Sequence, residues 1–147
     1  MNDTDRAIRN LTYGAFVELG RAPIPEEVAE AAGLAPPDLL AAWRRLHDQH
    51  ALVLDPSGSE IRMANPFSAV ETPHRVRANE RWWFANCGWD AFGICAALRT
   101  DGRIETSCPD CRAPIAVEVR DGRPDDDRLL FHCLVPARQW WDDIGFT

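Results

Sequence analysis

The chain has 147 residues, 46% of them hydrophobic, which fits one small globular domain or two very small ones sharing a core. Its net charge of −7 disfavours a general nucleic-acid or anionic-membrane surface. No apolar run reaches membrane-spanning length, and the start, Met1-Asn2-Asp3-Thr4-Asp5, is acidic and polar. Neither a transmembrane helix nor a signal peptide is expected, so the expected home is the cytoplasm, where thiols stay reduced. Five cysteines, an odd count, argue against a full disulfide framework. They read instead as core residues, metal ligands or reactive thiols.

Taken in order, residues 5–20 show a helical stripe of Ile8, Leu11, Tyr13, Ala15, Phe16 and Leu19, with Gly20 as the stop. Pro25 and Glu26-Glu27 suit the first turn of a short second helix that ends at Gly33. Pro36-Pro37-Asp38 opens a third helix to about His50, with Leu39, Leu40, Trp43 and Leu46 inward. Runs 51–54 and 61–63 flank Asp55-Pro56-Ser57-Gly58 and read as a β-hairpin. Three helices followed by a hairpin form a winged-helix-like pattern. As a DNA reader, however, the segment 1–68 is poorly charged: six Arg face ten acidic residues, net −4. Only Arg44 and Arg45 offer an obvious phosphate-binding pair, and phosphate contact needs positive charge. DNA binding is therefore not expected, and residues 1–68 are expected to form a helical module packed on a core made by residues 69–147.

Asn65-Pro66-Phe67-Ser68 marks the junction, after which the composition changes: five of the six Trp and all five Cys lie beyond residue 80. Strand character is expected over 69–76, extended chain over 81–85, and a helix over 87–98 that ends at Thr100-Asp101-Gly102. Strands are expected at 103–107 and 113–120 around the turn Cys108-Pro109-Asp110-Cys111. The acidic run 125–127 reads as a solvated loop, 129–134 as a strong strand, and 137–143 as a last helix whose Trp140-Trp141 pack across the core. The fold class is α+β.

The chemistry concentrates in Asn86-Cys87-Gly88-Trp89-Asp90. A thiol and a carboxyl three residues apart share one face of a helix turn. Cys87 is expected at the helix start, with Asn86 as its cap, where backbone N–H groups favour a thiolate. Taken alone, Cys87 reads first as a buried core thiol, and it is Asp90 that favours the chemical reading. Asp90 sits among Trp82, Trp83, Phe84, Trp89 and Phe92, where desolvation should raise its pKa and make it a usable general acid. The simpler role for Asp90 is a first-turn carboxylate on the helix dipole. Cys108 and Cys111 have metal-knuckle or redox spacing, though a single CxxC is a weak signal. A zinc site takes about four ligands, for which Cys87, Cys108 and Cys111 with Cys133 or His132 are the candidates. Cys95 is expected in the core, His47 and His50 exposed, His74 without a partner, and Cys133 facing inward on its strand.

Across Trp82-Trp83-Phe84-Ala85-Asn86-Cys87-Gly88-Trp89-Asp90-Ala91-Phe92, Ser107-Cys108 with Ala113-Pro114-Ile115, and Val135-Pro136-Ala137-Arg138-Gln139-Trp140-Trp141, the chain resembles the organomercurial (alkylmercury) lyase family. The resemblance implies an α+β fold in which a winged-helix-like module packs on a small mixed core. It also implies protonolysis of a carbon–mercury bond: Cys87 holds the soft metal as a thiolate and Asp90 relays the proton to the leaving carbon. Cys108 corresponds to a family cysteine held to be structural. The family also uses a second catalytic cysteine, and no Cys falls at the aligned position, so either Cys111 or Cys133 substitutes or the chain is a shortened, divergent relative with altered chemistry. The implied partners are a small organometallic substrate and low-molecular-weight thiols; no cofactor is required, and Hg(II) is the bound product. The alternative is a non-catalytic soft-metal or zinc-binding protein, regulatory in role, in which Cys87, Cys108 and Cys111 hold Zn(II).

Overall fold

The structure, a computed structural model, describes residues 1–126 and 128–145; Asp127 of the acidic run and residues 146–147 lie outside the described residues. The first helix, α1 (Asp3–Leu19), starts where the Asn2 side chain accepts the Asp5 N–H at 2.7 Å and stops at Gly20, whose φ of 70° costs a glycine little. Helices α2 (Pro25–Ala32) and α3 (Pro36–Asp48) each begin on proline, which lacks the N–H that a first turn leaves unpaired. The three pack on one another through fully buried Phe16, Val28, Leu39, Trp43 and Leu46. Trp43 carries a polar atom into this core, and its Nε1 donates to Thr12 Oγ1 at 3.0 Å, so the large ring is buried without an orphaned donor. Arg45 donates to the buried Asp5 carboxylate at 2.7 Å and holds it below the usual carboxylate range. One member of the Arg44–Arg45 pair is therefore spent inside the module.

The hairpin is β1 (Val53–Leu54) with β2 (Ile61–Ala64). Its turn is organised by Asp55: the Ser57 hydroxyl and the N–H groups of Ser57, Ser59 and Glu60 donate to its carboxylate and hold it down to about 2. Strands β3 (Phe67–Ser68), β4 (Arg75–Ala78), β5 (Arg81–Ala85), β6 (Gly102–Ser107), β7 (Pro114–Arg120) and β8 (Arg123–Pro124) complete an antiparallel sheet in the order β1-β2-β3-β5-β4-β6-β7-β8. The sheet and its core both run through residue 68. Phe16 of α1 stacks on Phe67 of β3 at 5.7 Å, Phe67 meets Trp83 of β5 at 6.3 Å, and Trp83 Nε1 donates back to the Phe16 carbonyl at 3.2 Å. The fourth helix, α4 (Gly88–Leu98), packs on β4, β5 and β6 with Ala91, Ile94 and Cys95 buried.

The strand expected at 69–76 begins only at Arg75. The strong strand expected at 129–134 does not form: those residues have no regular structure, and Leu130 is 96% exposed. An apolar run specifies which face wants burial but supplies no neighbour to pair with. Here the sheet edge is closed by β8, two residues long and ending in a proline without an N–H. The last helix is a 3-10 segment, Ala137–Asp142, and its tryptophans are half-buried rather than packed across the core. Trp140 Nε1 donates to the Val135 carbonyl at 2.7 Å, and Trp141 stacks on His50 at 4.1 Å. No helix among the described residues is long and apolar enough to cross a membrane.

Candidate functional site

Strand β5 delivers the chain to α4 in one step. Ala85 is fully buried at the strand end, Asn86 follows, and Cys87 takes the N-cap position in extended conformation without a side-chain cap bond. Asn86 is therefore not the cap. Its Nδ2 instead donates to Asp90 Oδ2 at 3.0 Å and to Asn65 Oδ1 at 3.1 Å, tying the first turn of α4 to the loop before β3. The Asn86 Oδ1 atom is buried without a hydrogen-bond partner. Cys87 and Asp90 share this turn, as the three-residue spacing requires.

Burial pushes the Cys87 thiol up, and the nearby charge of Asp90 and that of Cys133 push it further. The N–H groups of Asp90 and Trp89 pull the other way and do not win. The helix start thus does not produce the acidic thiol expected from its dipole, because desolvation is the larger effect. Asp90 behaves as expected. Burial raises its carboxyl, and the Asn86 hydrogen bond only tempers the rise. The aromatic shell is more open than its composition suggested: Trp83 is buried, whereas Trp82, Trp89 and Phe92 are exposed.

Phe131 packs against the start of α4. A Cβ built on Gly88 would lie 3.3 Å from the Phe131 ring, and Trp89 meets the same ring at 6.0 Å. Cys133 lies on the same irregular segment, two residues beyond Phe131. Cys133 does not face inward; with no strand there is no alternation of faces, and the residue is exposed, donating to the Val135 carbonyl at 2.9 Å. His132 is exposed as well.

His74 was expected to have no partner, but its Nδ1 lies 2.8 Å from Thr106 Oγ1 and its Cε1 about 4.0 Å from the Gly88 Cβ position. Burial lowers its pKa, favouring the neutral ring. No motif marks this histidine. It reaches the site because Arg75 of β4 pairs with Glu105 of β6, which sets 74 beside 106.

Cys95 is buried against Gly102, where a Cβ would approach its sulfur to 2.7 Å, so it is a core residue. Cys108 and Cys111 occupy the β6–β7 turn, with Cys111 exposed. Among the described residues no three His, Cys, Asp or Glu side chains are grouped to hold a metal ion. The set Cys87, Cys108 and Cys111 is therefore not gathered into a three-ligand site: its members start one helix and turn one hairpin, on separate elements.

The family model for alkylmercury lyase, MerB, matches residues 67–147, the segment that carries β3, α4, the β6–β7 hairpin and the Phe131–Cys133 segment. Among solved structures, the mercury-bound form of MerB2 is similar, with a TM-score of 0.66 at 20% sequence identity. That likeness covers 86% of this chain and 60% of the other, so this chain spans less than two thirds of the MerB2 length. No curated protein matches the sequence.

Proposed function

The chain belongs to the alkylmercury lyase family, and from that premise we propose that it cleaves carbon–mercury bonds by protonolysis, with Cys87 holding the metal and Asp90 carrying the proton. The observation that carries this reading is the pairing of a half-buried thiol with a half-buried carboxyl on one helical turn, both raised by burial. Mercury is soft and selects sulfur over oxygen donors. The organomercurial R–Hg–X exchanges X for the Cys87 sulfur, and the Cys87 proton leaves with X. Cys133 adds as the second thiolate and gives its proton to Asp90. Asp90 then protonates the carbon, the Hg–C electron pair becomes the C–H bond, and R–H departs. Mercury stays on two sulfurs, nothing is oxidised or reduced, and no cofactor is needed. The raised Asp90 carboxyl suits this step, because a group that holds its proton more firmly than an ordinary aspartate can receive one from a thiol.

Cys133 is preferred over Cys111 as the second thiol because its segment packs through Phe131 against the start of α4, whereas Cys111 belongs to the hairpin. Low-molecular-weight thiols serve as X and remove the product, which suits a reducing cytoplasm. Residues 1–68 are read as a winged-helix-like module that braces the sheet rather than binds DNA, since Arg45 is engaged by Asp5. The zinc-binding alternative lacks a ligand set among the described residues. The test is incubation with an organomercurial and excess thiol, with headspace detection of the hydrocarbon. Release at catalytic turnover supports the reading; mercury bound with no hydrocarbon released defeats it.

A further inference from the structure

Outside the α4 terminus, the Cys108-Pro109-Asp110-Cys111 hairpin carries thiols that the lyase reaction does not use. We propose that this hairpin tip is a second mercury site, a two-thiol clasp that binds Hg(II) separately from Cys87. The turn is built around one sulfur. Strands β6 and β7 pair in continuous register from Gly102↔Val119 to Ser107↔Pro114, so the tip rests on a rigid ladder. Cys108 N–H donates to the Ala113 carbonyl at 2.9 Å, and Arg112 N–H donates to the Cys108 carbonyl at 2.9 Å. Arg112 has a φ of 62°, a left-handed conformation that a side-chain-bearing residue adopts only when its surroundings hold it there. The N–H groups of Cys111 and Asp110 reach the Cys108 sulfur, and the Cys111 thiol hydrogen-bonds it as well. Two sulfurs, one of them exposed and the other already supplied with backbone donors, form a preorganised pair of soft ligands.

The number of ligands decides which ion fits. Zinc takes about four, and no third His, Cys, Asp or Glu joins this pair among the described residues. Hg(II), a soft ion that two thiolates satisfy, needs no more. The placement gives the clasp a use. Thr106, two residues before Cys108, hydrogen-bonds His74, which borders Gly88. The tip therefore stands at the same end of the sheet as Cys87, as an acceptor for the released ion; that role rests on the proposed lyase function. Low-molecular-weight thiols carry the ion across: two of them give their protons to Cys87 and Cys133 as they take the mercury, then recover two protons from Cys108 and Cys111 as the clasp binds it, and no electrons change hands.

The experiment uses the full chain as a Cys87→Ser/Cys133→Ser double variant, titrated with inorganic Hg(II) against a competing monothiol. One mercury per chain is expected after gel filtration, with sulfur-to-mercury charge-transfer absorption. Adding either Cys108→Ser or Cys111→Ser should remove both signals while circular dichroism stays unchanged. Absence of retained mercury in the double variant overturns the proposal, as does equal retention after Cys111→Ser. A zinc ion shared between two chains in the purified protein overturns it too. The probe contains no C–Hg bond, so failure here leaves the lyase reading standing, and failure of hydrocarbon release leaves this site standing.

Discussion

Two thiol regions lie at one end of the same sheet and differ in what surrounds the sulfur. At the start of α4, Cys87 is half-buried, and burial outweighs the two backbone N–H groups that reach it, so the thiol is raised. At the β6–β7 tip, Cys108 meets the N–H groups of Cys111 and Asp110 and the Cys111 thiol with little burial, so it is lowered. A helix N-terminus therefore does not by itself acidify a cysteine; the balance between desolvation and hydrogen bonding does. The chemical consequence differs as well. The raised thiol sits beside a raised carboxyl, an arrangement for moving protons, whereas the lowered thiol sits beside another thiol, an arrangement for holding a metal.

The comparison is broken most severely through Cys87. Cys87→Ser removes the sulfur that anchors the substrate, so both organomercurial binding at the α4 site and hydrocarbon release should vanish. Residual cleavage above the thiol-only background, measured by headspace chromatography, would move the reaction elsewhere. Asp90→Asn preserves shape but removes the transferable proton. Cleavage should fall by roughly 10²–10⁴-fold, the usual contribution of general acid–base catalysis, while mercury binding persists. If Asp90 only complements the helix dipole, the change costs at most about 1 kcal/mol of stability and leaves the rate intact.

The thiol acidities are tested by limited alkylation followed by peptide mass mapping. At neutral pH, Cys108 and Cys111 should label before Cys87, because Cys108 has more thiolate and Cys111 is exposed. With its pKa raised, Cys87 should reach full reactivity only above the ordinary thiol range, so its labelling should keep climbing with pH after that of Cys108 has levelled off. First labelling at Cys87 would reverse the comparison. The smallest effect is expected at Gly88. A Cβ there meets the Phe131 ring at 3.3 Å, so Gly88→Ala should push the Phe131 segment outward and displace Cys133 slightly. A loss of a few-fold in kcat with an unchanged melting temperature is expected; an unchanged kcat would show that Phe131 does not set the position of Cys133.

Much of the fold was legible because its signals are local. Gly20 and Gly33 stop helices, Pro25 and Pro36 start them, and Asp55 with Ser57 makes a turn, each through groups a few residues apart. The Cys87–Asp90 pair was legible for the same reason, since helical period alone puts both on one face. The strand expected at 129–134 does not form because an apolar pattern is local while strand pairing is not, and among the described residues the sheet ends at β8. His74 was expected to have no partner because only the β4–β6 register brings it beside Thr106 and Gly88.

By itself the sequence determined the order of the elements, the cysteine–carboxyl turn, the two-thiol hairpin and the family resemblance, all of which depend on residues close in the chain. The tertiary structure decided the continuity of the sheet through residue 68, the raised Cys87 thiol, the packing of the Phe131 segment against the start of α4 and the placement of Cys108 and Cys111 on a separate hairpin. Those outcomes depend on which distant surfaces meet and how much water is excluded between them, and desolvation is a property of the packed molecule that no local run of residues contains.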